Sequence, residues 1–179
     1  HLEQYRHATF EAADYYIEGL KRDRNDLRLN LAYGKLLLGR GMFRESEQHF
    51  LIAIKALKSR NPNPYDGEAF YQLGVALNMQ GKLDDAYAAF YKATWSAAWQ
   101  DSAYFSLAQI ATRKGDYEEA LELINRSLIR NTHHYRARVL KTALLRKLNH
   151  FEDAERFAEE TLRFDPLDFG SMNELYLLQ

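Results

Sequence analysis

The 179-residue chain has no cysteine and only three prolines. Without cysteine, neither disulfides nor thiolate metal sites can form. The scarcity of proline, together with abundant alanine, leucine, glutamate and arginine, favours an all-helical protein. No apolar run approaches the roughly 18 residues of a membrane-spanning helix. The formal net charge is only −1, so no overall field attracts nucleic acid or an anionic membrane.

Signatures of catalysis are also missing. The six histidines are scattered without metal-binding spacing, and neither a glycine-rich phosphate loop nor a nucleophile elbow is present. His133 and His134 fall in a predicted turn, where we expect both to be exposed to solvent. Adjacent acids at 84–85 and 118–119 fall in predicted first helical turns, where negative charge complements the helix dipole. The sequence therefore predicts no enzyme, no cofactor and no bound metal in this segment.

The dominant feature is an internal repeat with a period of 34 residues over 67–132. Nine positions of the first copy keep their chemical character in the second: Phe70, Leu73, Gly74, Leu77, Gly81, Leu83, Ala86, Phe90 and Ala93 correspond to Tyr104, Leu107, Ala108, Ala111, Gly115, Tyr117, Ala120, Ile124 and Ser127. This period and this order of large and small residues resemble the tetratricopeptide repeat, a helix–turn–helix unit.

The resemblance extends over the whole chain and implies an all-α fold. We expect a right-handed α-solenoid with about four full repeats and a half-repeat at each end. The predicted segments are a half-repeat at 1–26, repeats at 27–66, 67–100, 101–134 and 135–167, and a terminal helix at 168–179. A proline-containing loop at 58–66 accounts for the longer first repeat. Half-repeats at both ends predict that the segment comes from a larger protein.

The fourth repeat departs most from the pattern. Lys141 and Thr142 replace the usual Leu-Gly pair of the first helix, and Asn149 replaces the turn glycine. Asparagine is the next most tolerant residue after glycine in a left-handed backbone conformation, so we expect the turn to be kept. In the preceding turn, Asp116 is expected to cap a helix, with Glu119 three residues later.

In this family the first helix of each pair lines a concave groove, which implies a set of ligand-binding residues. They are the central Tyr71, Asn78, Phe105 and Gln109, with charge from Arg113, Arg136 and Arg146. Tyr71 and Phe105 occupy equivalent positions and are expected to lie side by side.

Residues 123–151 contain seven Lys/Arg and no acid, which makes one end of the groove basic. These features predict a protein or peptide ligand with an acidic group or a chain terminus. Alternatively, the two rings pack between helices and the arginines form a solvated face.

Trp95 and Trp99 stand four residues apart and are expected on one helical face. Packing between repeats is the favoured interpretation, whereas an exposed pair would indicate a second contact with a protein or a sugar. This segment and the loop around Pro62 and Pro64 also resemble repeats appended to long bacterial proteins with a carbohydrate-hydrolase-like domain. That resemblance implies an accessory region with an intramolecular domain partner and catalysis outside this chain.

Three functions remain open from the sequence. The leading one is a non-catalytic protein- or peptide-binding scaffold that uses the concave groove. The second is an accessory or spacer region of a larger bacterial carbohydrate-active protein. The third is self-association through apolar solenoid ends, so we expect a monomer or a weak dimer. Nucleic-acid and membrane partners are not expected, and the cytoplasm is the simplest location.

Overall fold

The computed structural model of the chain describes residues 9–62, 64 and 66–179. These residues form ten α-helices and no strand. The helices are α1 (Thr9–Arg22), α2 (Leu27–Gly39), α3 (Phe43–Arg60), α4 (Glu68–Met79), α5 (Leu83–Ala93), α6 (Gln100–Lys114), α7 (Tyr117–Arg130), α8 (Tyr135–Lys147), α9 (Phe151–Phe164) and α10 (Phe169–Leu178). A short 3₁₀ turn, Ala97–Trp99, precedes α6.

The helices are organised in two compact units, an N-terminal unit that ends at Ser96 and a C-terminal unit that begins at Ala97. Within the N-terminal unit, α2 packs on α3 and α4 packs on α5. Within the C-terminal unit, α6 packs on α7, α8 packs on α9, and α10 contacts both α8 and α9. Consecutive helix pairs are the arrangement that the 34-residue period predicted. The exact division into repeats stays a prediction.

The turns inside four helix pairs adopt left-handed backbone conformations. Gly41, Gly81 and Gly115 have φ angles of 78°, 76° and 87°, and Asn149 has a φ of 62°. Only glycine enters this region without a steric cost, and asparagine enters it at a small one. The predicted use of Asn149 in place of the turn glycine is thus confirmed.

The predicted helix cap at Asp116 is wrong, because its side chain accepts no hydrogen bond from the first turn of α7. Its backbone ψ angle is 72°, short of the more extended conformation of a capping residue. Asp26, by contrast, has a ψ of 121° and accepts a hydrogen bond from the Leu29 amide at 2.7 Å. The difference lies in the tight glycine turn that precedes Asp116.

Small residues of the repeat lie where helices approach closely. A Cβ atom built on Gly34 or Gly74 would lie 2.7 Å from the ring of Phe50 or Phe90, respectively. Protein interiors are too closely packed to absorb such an overlap without a shift of the neighbouring side chain. The small residues of the sequence pattern therefore mark positions where two helices are in close contact.

The loop between α3 and α4 is shorter than predicted. Helix α3 continues to Arg60, so the predicted loop at 58–66 begins three residues too early. The reason is that Pro62 restricts only its own backbone and that of Asn61, which is extended at φ −150° and ψ 117°. Asn63 and Tyr65 of this loop, and residues 1–8 of the predicted first half-repeat, lie outside the described residues.

Candidate functional site

A cavity of about 450 Å³ opens in the C-terminal unit between α6, α8 and the start of α10. Its apolar wall consists of Phe105, Tyr135, Val139, Leu140, Ala143 and Gly170. Gln109, Arg136 and Asp168 add polar groups to the same wall. We call this site the apolar cavity. Its volume falls within the range of roughly 300–1,000 Å³ that is usual for ligand pockets.

Helical spacing brings these side chains to one place. Phe105 and Gln109 are four residues apart on α6, and Arg136, Val139 and Ala143 follow at spacings of three and four on α8, so each set shares one helical face. Helix α10 is held against α8 by Gly170, whose Cβ, if present, would lie 2.6 Å from a methyl group of Val139. The cavity therefore depends on a close helix–helix contact.

Phe105 is positioned by a cluster of polar groups around Asp101. The ring of His134 lies 4.6 Å from the Phe105 ring, at an angle of 50°. His134 Nδ1 is 2.8 Å from Asp101 Oδ1. Because an ionised carboxylate only accepts hydrogen bonds, Nδ1 is the protonated nitrogen of the ring. The prediction that His134 is exposed is wrong, since it is half-buried between α6 and α8, whereas His133 is exposed.

Two further donors complete the environment of Asp101. Ser127 Oγ donates to Asp101 at 2.7 Å, and Asn131 Nδ2 donates at 2.9 Å. Burial by itself would raise the pKa of Asp101, but the hydrogen bonds from Asn131, His134 and Ser127 outweigh it. The pKa of Asp101 therefore lies below the ordinary value of an aspartate. This carboxylate ties together α6, α7 and the turn before α8.

The three arginines of α8 differ in their partners, and one of them, Arg136, lines the cavity. Arg138 is buried and pairs with Glu160 at 2.9 Å, and Arg146 pairs with Glu174 at 2.8 Å. Arg136 is exposed at the cavity wall and makes no ion pair within the described part of the chain. The charge predicted for the groove at Arg146 is thus compensated inside the C-terminal unit. The pairing of Arg146 with Glu174 could not be predicted from the sequence, because Glu174 lies on another helix, 28 residues from Arg146.

The other predicted groove residues are distributed over both units. Tyr71 and Asn78 lie on α4 of the N-terminal unit and are half-buried. The Tyr71 ring packs on Phe90 with centroids 5.4 Å apart, so part of its surface is used inside a helix pair. Arg113 is exposed near the end of α6 in the C-terminal unit. That Tyr71 and Phe105 lie side by side stays a prediction.

The two tryptophans do not share a helical face, and that expectation is wrong. Helix α5 ends at Ala93, and Thr94 Oγ1 donates to the Tyr91 carbonyl, a local bond that competes with helix continuation. Trp95 therefore lies in a turn and is 53% exposed, with Lys92 Nζ 3.3 Å from its ring centroid. Trp99 is half-buried in the 3₁₀ turn of the C-terminal unit.

The described residues lack two kinds of feature. Among them, no group of three or more histidine and acidic side chains is arranged to hold a metal ion. None of the described helices combines the length and the apolar character required to cross a membrane.

Comparisons with known proteins agree with this architecture. The sequence model of the tetratricopeptide repeat matches residues 31–103. The model of anaphase-promoting complex (cyclosome) subunit 3 matches residues 79–161. The two matches together extend over most of the helix pairs of both units.

Several solved structures have a similar fold. MamA from Desulfovibrio magneticus RS-1 aligns with a TM-score of 0.79 at 16% identity, over 92% of this chain and 89% of its own. YrrB, described as a tetratricopeptide protein with an unusual peptide-binding site, gives 0.77 at 17% identity, over 96% and 86%. PilF from Pseudomonas aeruginosa gives 0.79 at 19% identity, over 96% and 76%. The chain is thus an all-helical protein whose fold is an α-solenoid of tetratricopeptide repeats.

Proposed function

We propose that this chain is a non-catalytic scaffold that binds a protein or peptide segment at the apolar cavity. The observation that carries the proposal is the combination of an apolar cavity of about 450 Å³ with Arg136 at its wall. Arg136 is the α8 arginine next to the cavity that has no acidic partner among the described residues. An apolar pocket with a few polar groups around it is the usual form of a ligand site.

The chemistry of the wall defines the ligand. A large apolar side chain that leaves water for such a cavity contributes about 1.5–3 kcal/mol. A carboxylate next to it would pair with Arg136, whose guanidinium can donate two parallel hydrogen bonds. Asp168 uses Oδ2 for the Ser171 amide and keeps lone pairs for a peptide N–H. The best ligand is therefore a segment with an apolar residue beside an acidic residue or a carboxyl terminus.

Two further observations support the proposal. YrrB, whose fold is similar, is described as having a peptide-binding site. In addition, the Phe105 ring packs on His134, which Asp101 holds by a hydrogen bond, and a rigid aromatic anchor loses little conformational entropy on binding. Tyr71 and Asn78 of the N-terminal unit and Arg113 of the C-terminal unit remain proposed ligand contacts, each within its own unit. Arg146 would contribute only if a ligand displaced Glu174.

The experiment is binding of the whole chain to an array of peptides that carry one large apolar residue with or without a neighbouring acid. Two variants change the cavity: Arg136→Gln removes its charge, and Ala143→Phe fills it. The control is Arg163→Gln, which replaces an exposed arginine on α9. We expect acidic peptides to bind Arg136→Gln about 10–100-fold more weakly, the equivalent of one charged hydrogen-bonded contact. Peptide binding that is equal in all variants would disprove the proposal.

A second candidate function is favoured by the exposure of Trp95. Its ring is half-exposed and covered on one face by the Lys92 ammonium, a combination suited to contact with a protein domain or a glycan. This would fit an accessory region of a larger carbohydrate-active protein in the bacterial cytoplasm. Flanking sequence that encodes a large β-rich domain would favour this candidate over the peptide scaffold.

Self-association is the third candidate. Helix α10 exposes Phe169, Tyr176 and Leu177 to solvent, and exposed apolar side chains on one element can mark an interface. Light scattering over a concentration series decides this question. A monomeric mass at every concentration would exclude it.

A further inference from the structure

Lys141 occupies a position that leucine fills in the two preceding repeats. The equivalent residues, Leu73 and Leu107, are 8% and 0% exposed and belong to the core. Lys141 is half-buried, and its Nζ lies 4.4 Å from the centroid of the Phe157 ring. A lysine at a core position breaks the local rule of the repeat. Such departures concentrate at functional sites.

Lys141 borders a second cavity of the C-terminal unit, about 320 Å³ in volume, between α7, α8 and α9. The polar side chains of its wall are Lys141, Asn125, His150, Asp153 and Arg156. We call this site the basic cavity. With about 3.6 residues per turn, Lys141 and Leu145 lie on the face of α8 opposite to Arg136 and Val139. The basic cavity is therefore separate from the apolar cavity.

The charges of this wall are not balanced. Asp153 is the one carboxylate of the described wall, and it pairs with Arg156. Lys141 has no carboxylate within ion-pair distance among the described residues. Burial, and after it the nearby charge of Arg138, lowers the pKa of Lys141 below the ordinary value of a lysine, although two carboxylates oppose the shift. The ammonium group thus lacks a close counter-charge.

We propose that the basic cavity binds an oxyanion, a phosphate or carboxylate group, with Lys141 as its principal cation. Arg156, His150 and Asn125 stand on the same wall and supply further hydrogen-bond donors. An ammonium and a guanidinium form short charge-assisted hydrogen bonds with such oxygens. A bound oxyanion would supply the counter-charge that the described residues do not provide.

A purely structural role for Lys141 leads to a different expectation. In that case its methylene stem packs on Phe157 and its ammonium reaches towards water, with only a cation–π contact. The stability of the protein would then respond to phosphate only through general salt effects. These effects act on every variant alike.

The test is thermal unfolding of the whole chain at pH 7 in inorganic phosphate and in chloride at equal ionic strength. The variants are Lys141→Leu and, as a control, Lys147→Leu, which removes an exposed lysine from the same helix outside the cavity. Leu73 and Leu107 show that leucine fits the repeat at this position, so we expect Lys141→Leu to be folded and at least as stable as the natural chain in chloride.

With phosphate far above its dissociation constant, we expect the midpoint of the natural chain to rise about 5 °C more than that of Lys141→Leu. Lys147→Leu should keep the full response. Acetate as a second probe separates the two sources, because a carboxylate site would respond to acetate as well. An equal response of Lys141→Leu and the natural chain to both anions would overturn the proposal.

Discussion

Replacement of Asp101 by asparagine should destabilise the C-terminal unit through loss of a charged hydrogen-bond acceptor. Asp101 accepts three side-chain hydrogen bonds of 2.7–2.9 Å, from Ser127, Asn131 and His134. Ser127 is fully buried and cannot turn to water for another partner. Asp101→Asn keeps the shape of the side chain but removes its charge and turns one acceptor into a donor.

The magnitude follows from these contacts. Hydrogen bonds to a charged group contribute about 1.5–3 kcal/mol each, against about 0.5–1.5 kcal/mol for neutral groups. In Asp101→Asn the remaining oxygen can accept from Ser127 and His134, while the new amide faces the donor of Asn131. Two weakened bonds and one donor–donor contact at a part-exposed site together cost about 2–3 kcal/mol. For a protein of this size the unfolding midpoint should fall by about 5–10 °C.

The pH dependence has a defined sign. The pKa of Asp101 is lowered in the folded protein, so its contribution to stability is complete above the unfolded pKa of about 3.9 and is lost as the pH falls through the folded pKa. As far as the ionisation of residue 101 is concerned, the difference in unfolding free energy between the natural chain and Asp101→Asn should therefore be constant from pH 7 to pH 5. It should shrink below pH 4.

Urea unfolding followed by circular dichroism at pH 7, 5, 4 and 3 measures this difference directly. The control is Asp116→Asn, the same substitution before α7, where the side chain makes no capping hydrogen bond. We expect the control to change stability by less than about 0.5 kcal/mol. The reasoning would be refuted by a stable Asp101→Asn at pH 7, or by a difference that persists unchanged at pH 3.

Two further predictions test the helix packing and the turns. Ala86→Leu and Ala120→Leu each place a larger side chain at a fully buried position and should cost about 1–3 kcal/mol, measured by thermal unfolding. Unchanged stability in both would show that the register of the repeat is wrong. Asn149→Ala should cost about 1–2 kcal/mol, because the φ of 62° is unfavourable for a residue with a Cβ and no local hydrogen bond. Asn149→Gly should preserve stability, and a fully stable alanine variant would contradict the left-handed turn.

The local architecture could be predicted from the sequence because it depends on interactions between residues close in the chain. The 34-residue period fixes which residues are large and which are small, and close helix packing requires that alternation, as Gly74 and Phe90 show. The turns at Gly81, Gly115 and Asn149 follow from the cost of a Cβ at positive φ. Errors occurred where backbone geometry decides, as at the absent cap of Asp116 and the helix end before Trp95.

The candidate sites were only partly visible in the sequence. Phe105, Gln109 and Arg136 could be selected from their positions in the repeat, and all three line the apolar cavity. The sequence could not indicate that Glu174 neutralises Arg146, because this pair joins helices whose approach depends on the whole C-terminal unit.

The sequence by itself therefore determined the helical class and the helix–turn–helix unit, because short-range periodicity encodes them. Tertiary structure decided which charges remain available. It buries Arg138 against Glu160, joins His134 to Asp101, and leaves Arg136 and Lys141 without a carboxylate partner among the described residues. The physical reason is that the state of a charged group depends on the distance to its counter-charge, which the packing of helices far apart in sequence sets.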